Sequence, residues 1–288
     1  MASKYLNSLS NADYKLLTDK LLKIQNNTCY ICIESIDKAL HTTNIDHITP
    51  LANKGKDSEE NFAVTHESCN KSKQDADLKI ARILHKLKLI QEKVQQQEHK
   101  SASLKHVLQS YGGSKYDFKF NISGTTLEYS FSDLGDNTIY QTKIHTDYLS
   151  NEETCFINLP IEYIFHDELI NPRGINSSIS KLVKEFDKKH PQLHLTLGRV
   201  EENKIKIFDG QHKAVAQIVL GNKSLLLRIF LNPDVNRLQE TNTNAGSALA
   251  QIAFDKFILR QLNNTLYNEK IKEYQALHNL KPDDFSFS

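Results

Sequence analysis

The spacing of apolar positions divides the chain into segments of different style. Over residues 1–27, Tyr5, Leu6, Leu9, Leu16, Leu17, Leu21, Leu22 and Ile24 recur at helical intervals, which predicts helices. Residues 28–75 lose that period. Short apolar runs broken by His, Cys, Asn and Pro50 predict small strands and loops there. From about Asp75 to Tyr111 a long helix is expected. Ile80, Ile83, Leu87, Ile90 and Val94 form a heptad seam, which Gln97 and Ser101 interrupt and Leu104 and Leu108 rejoin. Such a seam packs within one chain or pairs two chains, and both uses stay open at this point.

Past Gly112–Gly113 the period becomes two. Residues 116–122, 126–131 and 138–144 alternate apolar and polar side chains, with turns at Gly124 and Gly135-Asp136, so an antiparallel meander is expected. From about Cys155 the order reads strand, helix, strand, strand, helix, strand, then C-terminal helices. The fold class expected is α+β in three parts: 1–75 with N-terminal helices, a linker helix and meander over 76–150, and an α/β part over 151–288.

Composition changes this picture only slightly. Among 288 residues, 39% are hydrophobic and 25% charged, ordinary for a globular chain long enough for two cores. No apolar run nears the roughly 18–20 residues that span a bilayer, and the N-terminus lacks a signal-peptide core. A cytoplasmic protein without a membrane partner is expected. A net charge of +1 means that any affinity for phosphate must be local. Lys54, Lys56, Lys71 and Lys73 form one such local cluster.

That cluster surrounds the densest chemistry in the chain. Of four cysteines, Cys29 and Cys32 are separated by two intervening residues, as are His66 and Cys69, and two such knuckles make a closed tetrahedral set for a structural Zn2+. Ordinary buried cysteines are the plainer alternative, and His66 is the ligand most able to face elsewhere. Asp46, His47, Asn61 and Asn70 are left over. Hydrolysis of a phosphodiester needs an activated water and a cation beside the leaving oxygen. A neutral imidazole, His47, suits the first task, and the side-chain oxygens of Asp46 and Asn70 suit a hard cation, Mg2+ or Mn2+.

With Asp46-His47-Ile48-Thr49-Pro50, Asn61 and Cys69-Asn70-Lys71-x-Lys73 in order, residues 29–73 resemble the HNH (ββα-metal) endonuclease family. The resemblance implies a general base at His47, cation ligands at Asp46 and Asn70, a brace for the base and its loop at Asn61, and a phosphate contact at Lys73. It places Asp46-His47 at the end of a first strand, Asn61 at the start of a second, and Asn70 at the opening of a helix. Two departures stand out: His66 where the family mostly has Cys, and Lys54-Gly55 where it has Gly-Gly.

In the C-terminal part, Asp209-Gly210-Gln211-His212-Lys213 reads as a strand-to-helix turn that brings backbone N–H groups to an anion. With Asn171-Pro172-Arg173-Gly174 upstream and Glu240-Thr241-Asn242-Thr243-Asn244-Ala245-Gly246 downstream, residues 155–250 resemble the ParB/sulfiredoxin-like superfamily, in particular members with an Asp-Gly-Gln-His-Arg turn. This implies a nucleotide site, a nucleoside triphosphate being the expected ligand, from Arg173, Asp209, Gly210, Gln211, His212, Lys213 and Asn242. Lys213 in place of Arg gives up bidentate phosphate recognition, and a retained fold with no nucleotide is the alternative. The function expected is a DNA endonuclease gated by a nucleotide- or modification-sensing region, in restriction or antiphage defence, acting as a homodimer or with a partner subunit. A non-cleaving ParB-like DNA-binding regulator is the alternative, and an RNA-directed nuclease is a third reading.

Overall fold

The computed structural model describes residues 3–73, 76–189, 195–243 and 272–278. The chain divides into two compact units, Met1–Pro233 and Asp234–Ser288. Of the second unit the described stretches are helical at 235–243 and 272–277. The remainder of the expected C-terminal helices lies outside the described residues.

The first unit opens with α1 (Lys4–Ser8) and α2 (Asn11–Ile24). Ser3 and Ser10 cap them by accepting from Leu6 N–H and Asp13 N–H. The apolar side of α2, Leu17, Leu21 and Leu22, lies on the antiparallel pair β1 (Thr43–His47) and β2 (Phe62–His66). Two helices follow, the short α3 (Glu67–Lys73) and, from an Asp77 cap, the long α4 (Leu78–Glu98). Leu78 and Ala81 close a small core with Ile31, Ile36, Ile45, Phe62 and Val64.

The single long helix expected over 75–111 is two helices. α4 stops at His99, whose backbone is left-handed (φ +54°), and α5 (Leu104–Tyr111) starts after Ser103. His106 sets the break: its Nδ1 accepts from Ser103 N–H at 3.0 Å, and its Nε2 donates to Glu98 Oε1 at 3.0 Å. Ala102 C=O is taken by Ile175 N–H, a partner that a continuous helix would not leave available. The heptad seam is spent inside the chain, since Ile80, Leu87, Leu104 and Leu108 are buried in the second core.

The meander is present as β3 (Phe120–Ser123), β4 (Thr126–Phe131) and β5 (Asp136–Lys143), in that order. Next come β6 (His145–Thr146), β7 (Glu153–Pro160), β8 (Ile164–His166), α6 (Ile179–Asp187), the hairpin β9 (Thr196–Glu201) and β10 (Lys204–Asp209), α7 (Gln211–Val219) and β11 (Ser224–Phe230). The expected order holds with one addition, the short β8, which pairs parallel to β10. The sheet runs β6-β7-β11-β9-β10-β8. Cys155, Ile157 and Leu159 of β7 and Leu225, Leu227 and Ile229 of β11 point to one face, where α7 is buried beside α5 and α6.

Candidate functional site

The strand period explains how β1 presents its last two residues. Ile45 and His47 are buried on one face, so Asp46 between them faces the other way and stays partly exposed. The His47 ring meets Phe62, its cross-strand neighbour, edge-on at 4.9 Å. Its Nδ1 is 3.8 Å from Asp46 Oδ1, too long for a hydrogen bond, while Nε2 is 3.0 Å from Asp57 Oδ1. Asp46 Oδ1 accepts from His47 N–H at 2.8 Å, and Oδ2 is paired with Lys73 Nζ at 2.8 Å.

Asn61, just before β2, organises the loop after His47. Its Oδ1 accepts from Thr49 N–H at 3.0 Å, and its Nδ2 donates to Thr49 C=O at 2.9 Å and Lys56 C=O at 2.8 Å. Gly55 completes the turn, because a Cβ there would lie 1.8 Å from the Thr49 carbonyl oxygen. This is the position where the Lys54-Gly55 pair departs from the family pattern, and the close approach accounts for the single Gly that remains.

α3 lies against β1 and β2 and carries Cys69, Asn70, Lys71 and Lys73. It begins at Glu67, so Asn70 sits inside it, where an opening position was expected. The Asn70 Oδ1 atom is buried and accepts no hydrogen bond. A buried acceptor without a donor is costly, and a hard cation is the partner that suits such an oxygen. The residues present thus fit a divalent ion at Asp46 and Asn70.

The four lysines separate. Lys54 and Lys56 are exposed, and Lys71 is exposed and paired with Glu67 at 2.8 Å. Lys73 was expected at the phosphate, but its side chain is only 8% exposed and is turned onto Asp46.

The second set comes together as the knuckles predict. Cys29 and Cys32 in the turn after α2, His66 at the end of β2 and Cys69 on α3 offer four ligand atoms within 4.8 Å of one another. The His66 ligand atom is Nδ1, 3.4 Å from Cys32 Sγ. Burial pushes the Cys32 thiol up to about 12, and Cys69 is raised by burial first and by Cys29 second. Thiols so crowded ionise only beside a cation, which is the fit expected of a closed Zn2+ site. Ile33, directly after Cys32, has φ +65°, a conformation that a β-branched residue rarely adopts.

Residues 29–76 match the family model described as HNH endonuclease. No curated protein matches the chain. The chain therefore carries an HNH endonuclease domain with a Cys/His metal-binding group inside it, and the match supports a nuclease activity. HNH nucleases act on DNA. Among the described residues no helix is long and apolar enough to cross a membrane.

Away from the HNH domain, the turn at Asp209–Lys213 is formed as expected. β10 ends at Asp209, Gly210 caps α7 with φ +76°, and a Cβ on Gly210 would come 3.1 Å from Thr196 Cα. Gln211 is 3% exposed; its Nε2 donates to Asn171 Oδ1 at 3.1 Å, and its Oε1 is buried without a donor. His212 Nε2 accepts from Asn176 N–H at 3.2 Å. Burial, and after it the charge of Arg173, pulls the His212 pKa down, which brings Arg173 and His212 into one neighbourhood. Lys213 is half-buried on α7. Asn242 lies on the helical stretch 235–243 of the second unit, and Asn244, Ala245 and Gly246 lie outside the described residues.

Sequence reasoning missed two features. Asp57 is an unremarked loop acid whose role depends on its distance to His47. Arg199 and Asp167 form a buried ion pair, Nε to Oδ2 at 2.5 Å, and Arg199 Nη2 lies 2.6 Å from Glu201 as a charge contact without hydrogen-bond geometry. Burial works against the guanidinium charge, but the carboxylates of Asp167 and Glu201 beside it outweigh this and raise its pKa. An Arg inside a strand was the only signal for the second feature.

Proposed function

We propose that the chain is a metal-dependent endonuclease that hydrolyses DNA phosphodiesters, with His47 as general base. The observation that carries this reading is the meeting of three things: a buried His47 at the end of β1, the adjacent Asp46 carboxylate, and a buried Asn70 oxygen without a donor on the helix packed against β1. A neutral His47 takes the proton of a water as the water oxygen bonds to phosphorus. The bond to the leaving oxygen breaks on the opposite side, and that oxygen is protonated from solvent. Mg2+ or Mn2+ held by Asp46 and Asn70 supplies neutralisation of the charge that builds on the phosphate and leaving oxygen. Asn61 holds the loop so that His47 keeps its place. Lys73 sets the charge beside Asp46. Lys54, Lys56 and Lys71 are exposed and suit phosphates flanking the cut, a contribution that salt weakens. Zn2+ on Cys29, Cys32, His66 and Cys69 is structural, because four protein ligands leave no open position.

In the same proposal the nuclease occupies residues 1–75, residues 76–150 form a linker, and the part from 151 on is a ParB-like region that senses a nucleotide or a DNA modification. Support comes from the left-handed Gly210 turn, the N-terminus of α7 where no side chain makes a cap hydrogen bond, the partnerless Gln211 Oε1 and the nearby Arg173 and His212. Restriction or antiphage defence is the setting that such gating suits.

Supercoiled plasmid incubated with protein and Mn2+ is expected to be nicked, and His47→Ala is expected to abolish nicking with zinc content unchanged. Equal behaviour of the two proteins on modified and unmodified DNA, with and without nucleotide, overturns the nuclease reading. Melting-temperature shifts with a nucleotide panel test the sensor; none with any nucleotide removes it.

A further inference from the structure

Asp57 receives four hydrogen bonds, and all four partners are donors. Oδ1 accepts from the Ser3 hydroxyl at 2.5 Å and lies 3.0 Å from His47 Nε2, while Oδ2 accepts from Lys4 N–H at 2.9 Å and Tyr5 N–H at 3.0 Å. The three contacts with residues 3–5 bridge more than fifty residues of sequence. The segment that supplies three of them, residues 3–5, lies outside the part of the chain that matches the HNH family model, 29–76. It is clamped in turn: Tyr5 stacks obliquely on Phe62 at 5.6 Å and donates to Glu59 at 2.6 Å, and Lys20 pairs with Glu59 at 2.5 Å.

We propose that Asp57 is the positioning residue of the nuclease centre, fixing the ring orientation and tautomer of His47, and that the N-terminal residues Ser3–Tyr5 hold Asp57 in place to do so. This inference rests on the reading of His47 as general base. A carboxylate only accepts, so Nε2 of His47 carries the proton and Nδ1 is left with its lone pair. Nδ1 is the nitrogen on the Asp46 side of the ring, 3.8 Å from Oδ1, where a base must receive the proton of a water. Ser3 and the two backbone N–H groups hold the Asp57 carboxyl down to about 2, so it stays the acceptor that this tautomer requires. An amide at this position has only one acceptor atom for four donors, so Asp57→Asn breaks the arrangement while keeping its size.

The test uses the full chain with Mn2+ on supercoiled plasmid, alongside the 15N shifts of His47. Asp57→Asn is expected to lower kcat by on the order of 10²- to 10⁴-fold with KM little changed, and to shift His47 from one tautomer to a mixture, with zinc content intact. Asp57→Glu, which keeps the carboxylate, is expected to recover part of kcat. Ser3→Ala removes one holding bond and serves if Asp57→Asn fails to fold; a drop of roughly tenfold with the same change in tautomer is expected. A folded Asp57→Asn protein with wild-type kcat and an unchanged His47 tautomer overturns the proposal. Full activity in His47→Ala overturns the general-base reading instead, and the 15N shifts still report whether Asp57 sets the ring.

Discussion

In the amino-terminal module the buried apolar set is small, and polar side chains take over much of the work of holding the chain. Asn61 ties the loop 49–56, Gln25 bonds both N–H and C=O of Val64, Asp57 pins the N-terminus, and four metal-type ligands join the knuckle to α3. In the sheet region the reverse holds. Strands β7, β10 and β11 bury apolar faces against α5, α6 and α7, and a polar cluster around Arg199 of β9 and Asp167 sits inside that mass. The difference teaches where each region is vulnerable. A module with little apolar area to remove from water depends on its ligands and hydrogen bonds, whereas a large core depends on packing and on satisfying the charges it has buried.

Removing the metal site is the hardest test of that contrast. Cys29→Ser, or prolonged chelation, is expected to unfold the amino-terminal module, since structural Zn2+ is worth on the order of 10 kcal/mol in small modules. Elemental analysis with hydrogen exchange by region is the measurement, and protection lost in residues 28–73 but kept in β7 and β11 is the expected pattern. Equal loss in both regions erases the distinction. The next effect belongs to the sheet. Asp167→Asn leaves the Arg199 guanidinium buried beside a neutral partner and is expected to cost about 3–5 kcal/mol in chemical denaturation, with the zinc content unaffected.

Asn61→Ala removes three hydrogen bonds at once and strands Thr49 N–H and two carbonyl groups. A loss of about 1–3 kcal/mol is expected, seen as exchange confined to residues 48–61. Ile33→Gly goes the other way. It relieves a left-handed backbone at a position 58% exposed, and a gain of about 1 kcal/mol in the module is expected from melting curves. An unchanged or lower melting temperature shows that the knuckle tolerates Ile33 without strain. The smallest effect is one of pH. The Asp57 pKa is lowered from 3.8 to about 2, with the Ser3 hydroxyl the first cause. The stability it contributes is complete above about 3.8 and is lost as pH falls towards 2. Asp57→Ala is expected to flatten acid unfolding in that window, and identical acid profiles for the two proteins remove Asp57 from the account.

Much of this was legible beforehand because it depends on local chemistry. The two-residue gaps of Cys29/Cys32 and His66/Cys69 give knuckles wherever the chain turns, and the period of two over 116–122, 126–131 and 138–144 predicts a meander. The strand–turn–helix at Asp209–Lys213 followed from one Gly between two periodic runs. The helix break at His99–Ser103 was not legible. Gln97 and Ser101 hinted at an interruption, but the break is fixed by His106 reaching back to Ser103 and Glu98 and by Ile175 arriving from elsewhere. Lys73 likewise sits among lysines that read as surface, and only its distance to Asp46 shows that it is an internal counter-charge.

What the sequence determined is the chemical inventory of the proposed nuclease centre: an imidazole with an adjacent carboxylate, an amide on the helix, and a closed Cys/His ligand set that suits zinc. Residue type and short spacing suffice for that, because each pair lies within one turn or one strand. Tertiary structure decided how those groups are held. The partner of His47 Nε2 comes from a loop ten residues on and is itself fixed by the first residues of the chain. No local period encodes that contact, since it exists only when α1, the loop and β1 pack together.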